Sequence, residues 1–143
     1  MTTGCVFCDA DGGERLWRDA RCRVVLTDEP FPGFCRVIWN AHVREMSDLA
    51  APDREHFMHV VYAVESALRV RLAPIKMNLA SLGNQTPHLH WHVIARFAWD
   101  SRFPAPVWAP AQRERDREAE SAIEARLPAV EIDMVERLAA RSF

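Results

Sequence analysis

The chain has 143 residues, of which 49% are hydrophobic and 27% charged, and its formal charge at pH 7 is −2. That length suffices for one compact domain that needs no disulfides to bury its core, and the balance excludes an intrinsically disordered segment. A near-neutral total gives no general basis for binding nucleic acid or an anionic membrane, although a local group of donors can still hold a small anion.

No stretch approaches the apolar length that spans a bilayer. The N-terminal MTTGCVFCDADGGER has neither the basic start nor the apolar run of a signal peptide, so a cytoplasmic location is expected. In that compartment Cys5, Cys8, Cys22 and Cys35 are reduced. The close pair Cys5 and Cys8 then reads as metal ligands or as buried thiols rather than a disulfide.

Short strands are expected between Arg15 and Asn40. LWRD precedes the turn-prone Asp19-Ala20, and in CRVVLT the residues Cys22, Val24 and Leu26 alternate with Arg23, Val25 and Thr27. DEPFPG, with two prolines and a glycine, is a loop, and FCRVIW is the next strand. A short helical turn over Val43 to Leu49 leads into a long helix from Pro52 to Leu72. Pro52 suits the first helical position, Asp53 and Glu55 place negative charge at the positive end of the dipole, and Pro74 ends the segment. Phe57, Val60, Val61, Val64, Leu68 and Leu72 form its apolar stripe. Ile75 to Leu82 reads as a strand, Gly83 to Pro87 as a loop and His88 to Phe97 as a last strand. FAWDSRFPAPVWAP is then expected to run extended over the surface. QRERDREAESAIEARL is helix-prone, its charges forming a solvated face, and Pro128 separates it from an amphipathic stretch over Val130 to Leu138. Residues 1–110 are expected to form the catalytic domain and 111–143 a helical extension packed on it or on a partner.

The strongest signal is HLHWHVIARF. Alternate strand residues share a face, which groups His88, His90 and His92 on one side and Leu89, Trp91, Val93, Ala95 and Phe97 on the other. The second set is core material. The first is not, because each buried imidazole brings nitrogens that must be satisfied. Imidazole suits nucleotidyl transfer near neutral pH, where one ring can attack phosphorus while a neighbour serves as acid or charge stabiliser. The preceding GNQTP loop adds the Asn84 and Gln85 amides, the Thr86 hydroxyl and backbone N–H groups as donors. His56 and His59, in the long helix, are read as satisfied or partly exposed, and Trp39, Trp91, Trp99 and Trp108 as packing groups.

On these residues the sequence resembles the histidine triad family of nucleotide hydrolases and transferases, of the bacterial type with an N-terminal Cys-x-x-Cys and a C-terminal extension. The family pattern His-φ-His-φ-His-φ-φ, with φ apolar, is met at every position from His88 to Ile94, and the likeness runs from CVFC through the Asp28 loop, VIWNAH, the long helix and the triad. The resemblance implies an α+β, HIT-like fold: a five-stranded antiparallel sheet with one long and one short helix, here with the C-terminal helical extension added, and a homodimer. It implies attack at the α-phosphate of a nucleoside phosphate derivative through a nucleotidyl-histidine intermediate, with no cofactor required for the chemistry. His90 is the implied nucleophile, His92 the contact to phosphate and leaving group, and His88 a supporting hydrogen-bonding group or a zinc ligand. Asp28 would meet the ribose hydroxyls. By likeness to members with the same start, Cys5, Cys8, His42 and His88 would hold a structural zinc, the other reading being a reduced thiol pair. Two departures bear on the site: Gly83-Asn84-Gln85 stands where many members carry Gly-Gln-Ser/Thr, and Phe34 where many carry histidine.

Two other functions compete. A metal-dependent hydrolase could use strand histidines as zinc ligands, although no acidic residue follows the motif until Asp100. A nucleotide-binding module without turnover could regulate a partner, which an intact His90 disfavours.

Overall fold

The computed structural model describes residues 4–140. A single turn, α1 (Val6–Asp9), precedes the strands β1 (Glu14–Arg18), β2 (Cys22–Leu26) and β3 (Phe34–Trp39), the long helix α2 (Ala51–Leu72), the strands β4 (Lys76–Ala80) and β5 (His90–Arg96), and the helices α3 (Arg117–Glu124) and α4 (Leu127–Ala140). The five strands form one antiparallel sheet in the order β1-β2-β3-β5-β4. No described helix is long and apolar enough to cross a membrane.

One face of the sheet packs on α2. Its stripe, Phe57, Val60, Val61, Val64, Leu68 and Leu72, meets Cys22, Val24, Cys35, Val37, Val93 and Ala95 in a single core, and α4 adds Val130, Met134 and Leu138. Helix α2 ends as Pro74 requires: Ala73 takes the left-handed conformation at φ 49° and its N–H bonds to the Arg69 carbonyl at 3.1 Å.

The other face is covered by two irregular segments. The first is the N-terminal turn, whose Cys5 and Phe7 pack on Val25 and Ile38. Arg23 holds it there, donating to the carbonyls of Phe7 (2.6 Å), Ala10 (3.2 Å) and Asp11 (2.9 Å). Gly12, at φ 90°, lets the chain pass so close that an added Cβ would lie 2.8 Å from both Phe7 and Ile38. The second is the strap over residues 97–113. Arg96, 1% exposed, is its anchor: it donates to Asp100 (2.7 Å), Asn78 (3.0 Å) and the Ala105 carbonyl (2.7 Å). Arg102 donates to the Val107 and Ala109 carbonyls, and Arg113 to those of Asp100 and Phe103.

Three expectations shift, and one element is unforeseen. The triad strand begins at His90, not His88, because the His88 N–H bonds to the Thr86 carbonyl (2.8 Å) and the Leu89 N–H to that of Val43 (2.8 Å). The turn α1 goes unsignalled, its capping coming from distant Arg23. The helix expected over residues 112–127 is confined to α3, where Glu120 is buried against Arg115 rather than solvated (2.7 and 3.0 Å). The strap is not merely laid on the surface, since Asp100, Ser101 and Val107 are buried. His56 is satisfied, paired with Asp19 at 2.6 Å, while His59 is exposed.

The Arg96–Asp100 pair is almost wholly excluded from solvent, so removing one partner strands a charge. An Asp100→Ala variant is expected to lose about 3 kcal/mol in urea denaturation; a loss under about 1 kcal/mol would show that the strap is not anchored through this pair.

Candidate active site

Strand β5 is buried on both faces, which forces its histidines into the space between the two covering segments. His90 and His92 are 5% and 6% exposed, with ring centroids 4.8 Å apart and planes nearly perpendicular at 89°. Phe7 meets the His90 ring edge-on at 4.9 Å, and Phe34 and Trp108 meet His92 at 5.5 and 5.0 Å. Between these aromatics opens a cleft of about 390 Å³ lined by His90, His92, Asn84, Gln85, Thr86 and Arg36, with Trp108 and Glu29 at its margin.

His90 Nδ1 lies 2.6 Å from the backbone carbonyl of His88. A carbonyl only accepts, so the proton sits on Nδ1 and Nε2 keeps its lone pair. That is the tautomer a nucleophile needs. Burial pushes the His90 pKa below the usual range; the bond to the His88 carbonyl opposes this and the Arg36 charge adds to it. On His92 burial is joined by the effects of His90 and Arg36, and the pKa is lowered to about 3. Its Nδ1 is buried without a hydrogen-bond partner among the described residues.

His88 departs from the row. Its ring leaves the cleft to His90 and His92 and turns to a cluster with Cys5, Cys8 and His42, in which all four ligand atoms lie within 4.8 Å of one another. The Cys5 Sγ–His88 Nδ1 and Cys8 Sγ–His42 Nδ1 distances are both 3.3 Å, Cys8 Sγ–His88 Nδ1 is 3.5 Å, and the two Nδ1 atoms are 3.2 Å apart. Tetrahedral zinc with ordinary Zn–S and Zn–N bonds would give edges of about 3.6 Å for N···S and about 3.3 Å for N···N. His88 Nε2 lies 2.6 Å from the Trp39 carbonyl, which places the proton there and leaves Nδ1 free to ligate. The donor set and its spacing therefore fit a structural zinc.

The structure thus brings His90, His92, Asn84, Gln85 and Thr86 to one cleft, and Cys5, Cys8, His42 and His88 to another place. Asp28 joins neither; it is exposed and lines a neighbouring hollow with Gly12, Gly13 and Thr27. Sequence reasoning missed Arg36, Glu29 and Phe7 as lining residues and took Trp108 for packing alone. For Arg36 a signal existed, since a charged residue interrupts the apolar strand FCRVIW.

The sequence model of the HIT domain matches residues 13–99. The chain belongs to the HIT domain family. Its fold is similar to that of a histidine triad protein from Marinobacter aquaeolei VT8, at 25% identity and a TM-score of 0.67, over 85% of this chain and 91% of that one. A HIT protein from Sinorhizobium meliloti 1021 is 26% identical with a TM-score of 0.66, over 82% and 89%. A zinc-bound histidine triad family protein from Mycobacterium smegmatis shares the fold at 21% identity and a TM-score of 0.62, over 96% and 98%. No curated protein matches the chain. HIT membership supports nucleotide processing by hydrolysis or transfer in general terms.

The buried His92 has a consequence for acid stability. As pH falls below about 6.5 the unfolded chain takes up a proton that folded His92 accepts only at about 3, so stability present at pH 7 is lost on acidification. A His92→Phe variant should therefore lose less stability than the parent between pH 7 and pH 5 in urea titrations. Equal losses would count against a neutral, buried ring.

Proposed function

We propose that the protein hydrolyses or transfers the nucleotidyl group of a nucleoside phosphate derivative, such as a dinucleoside polyphosphate or a nucleoside phosphoramidate, through a nucleotidyl-histidine intermediate. The observation that carries this reading is His90: a strand-held imidazole with its proton committed to the His88 carbonyl and its Nε2 lone pair facing a cleft with amide and hydroxyl donors.

In the first step Nε2 attacks the α-phosphorus, a P–N bond forms, and the bond from phosphorus to the leaving group breaks with its electron pair going to that group. In the second, water attacks phosphorus, the P–N bond breaks and the nucleoside monophosphate departs, returning His90 to its starting tautomer. Asn84, Gln85 and Thr86 stabilise the equatorial oxygens, and His92 contacts the phosphate and leaving group. Asp28 takes the ribose role from its position on the loop rim. Intact His90 disfavours a module without turnover, and the separation of His88 from the cleft disfavours a catalytic metal held by the row.

Cys5, Cys8, His42 and His88 hold a structural zinc, which needs deprotonated thiols and suits a reducing, cytoplasmic setting. The zinc-bound relative from Mycobacterium smegmatis supports this assignment. Residues 1–110 form the catalytic domain and 111–143 an extension packed on it, as the burial of Val130 and Met134 against α2 favours. A homodimer would use the open edge of β4, where Ile75 and Leu79 are exposed.

A His90→Asn variant should retain nucleotide binding while turnover falls roughly three hundredfold or more. Undiminished turnover would remove the covalent mechanism. Metal analysis of the gently purified protein should find about one zinc per chain, and a Cys8→Ser variant much less; a parent protein free of zinc would defeat the structural site.

A further inference from the structure

Among the described residues, Arg23 and Arg96 are buried and Arg36 and Arg102 half-buried, and the four differ in how fully their guanidinium groups are engaged: Arg102 donates to the Val107 and Ala109 carbonyls of the strap. Arg23 spends its donors on three backbone carbonyls and Asn40. Arg96 is matched by Asp100, Asn78 and the Ala105 carbonyl. Arg36 makes a single hydrogen bond, from Nη1 to the Gly12 carbonyl at 3.0 Å, and its Nε is buried without a partner among the described residues. No described carboxylate forms an ion pair with it. Asp28 and Glu29 act on it only at longer range, from exposed positions on the loop.

A cation kept inside a protein with spare donors is costly unless a ligand completes it. Arg36 is also held in place. Its guanidinium carbon lies 5.8 Å from the Phe7 ring and 5.6 Å from the Phe34 ring, so aromatic faces limit its motion and leave its remaining donors for the cleft it lines. The β3–β5 register pairs Arg36 directly with His92, whereas His90 stands opposite Ile38. The cation therefore belongs to the His92 end of the cleft.

We propose that Arg36 binds a phosphate of the leaving group, making it a specificity-determining residue that favours nucleotide donors whose leaving group is itself phosphorylated over donors that release an amine. This rests on the preceding reading in one respect, that the leaving group lies on the His92 side. The planar fork of the guanidinium matches two phosphate oxygens, and its charge persists at any working pH. Against a leaving group such as ammonia, the same donors find nothing to bind.

The test compares the parent protein with Arg36→Gln, which removes the charge and the guanidinium fork, on two substrates with a common adenylyl group: diadenosine triphosphate, which releases ADP, and adenosine 5′-phosphoramidate, which releases ammonia. The expected result is a loss of roughly ten- to hundredfold in kcat/KM on the first and less than about threefold on the second. Arg36→Lys should recover part of the loss on the triphosphate. Equal losses on both substrates would assign Arg36 to the transferred phosphate and overturn the proposal, as would no loss on either. Thermal melting of both variants separates misfolding from lost recognition. If the parent turns over neither substrate, the nucleotidyl-transfer reading fails on its own. Arg36 is then judged by calorimetric titration with inorganic pyrophosphate, where a Kd raised roughly tenfold in Arg36→Gln supports the phosphate site and an unchanged Kd overturns it.

Discussion

The pairing of β5 between β3 and β4 is the constraint on which the rest of the structure depends. Cys35 opposite Val93 and Arg36 opposite His92 set which side chains of β5 face α2 and which face the cleft. Because successive strand side chains alternate, a slip of one residue would turn Val93 and Ala95 into the cleft and drive imidazoles into the apolar core. Burial of the one set against Phe57, Val64 and Leu68 thus holds the other set in register for chemistry. Packing and function are opposite sides of the same strand.

His88 ties two parts of the molecule together. Its carbonyl receives the Nδ1 proton of His90, its Nε2 is bound to the Trp39 carbonyl, and its Nδ1 faces the cysteines. Three functional groups of one residue are each committed to a different neighbour. The cluster beneath the N-terminal turn and the tautomer of His90 consequently share a support, although the two sites use different side chains.

Much of this was legible in the chain itself, where side-chain spacing carries the information. The stripe from Phe57 to Leu72, the stop at Pro74 and the alternation of HLHWHV each follow from one period and one mismatch between residue type and position. The family resemblance then supplied the sheet and the implied grouping of Cys5 and Cys8 with His42 and His88. What could not be read locally depends on partners far along the sequence. The turn α1 is held because Arg23 donates to its carbonyls, and Trp108 reaches His92 because Arg96, Arg102 and Arg113 fold the strap back over the sheet. His88 looked equivalent to its two neighbours because period alone does not show where a ladder begins. Glu120 looked solvated because the charge run does not show that it lines a narrow hollow with the distant Pro30, Phe31, Phe97 and Trp99.

The strap also bears on how such a site can change over evolutionary time. Its shape is set largely by guanidinium groups grasping main-chain oxygens, and every residue type supplies a main-chain oxygen. Positions such as Pro106 and Trp108 can therefore be exchanged while the path of the chain is kept. The wall of the cleft beside His92 is free to diversify, and relatives sharing one histidine strand can acquire different tastes by rewriting a few letters of this ribbon.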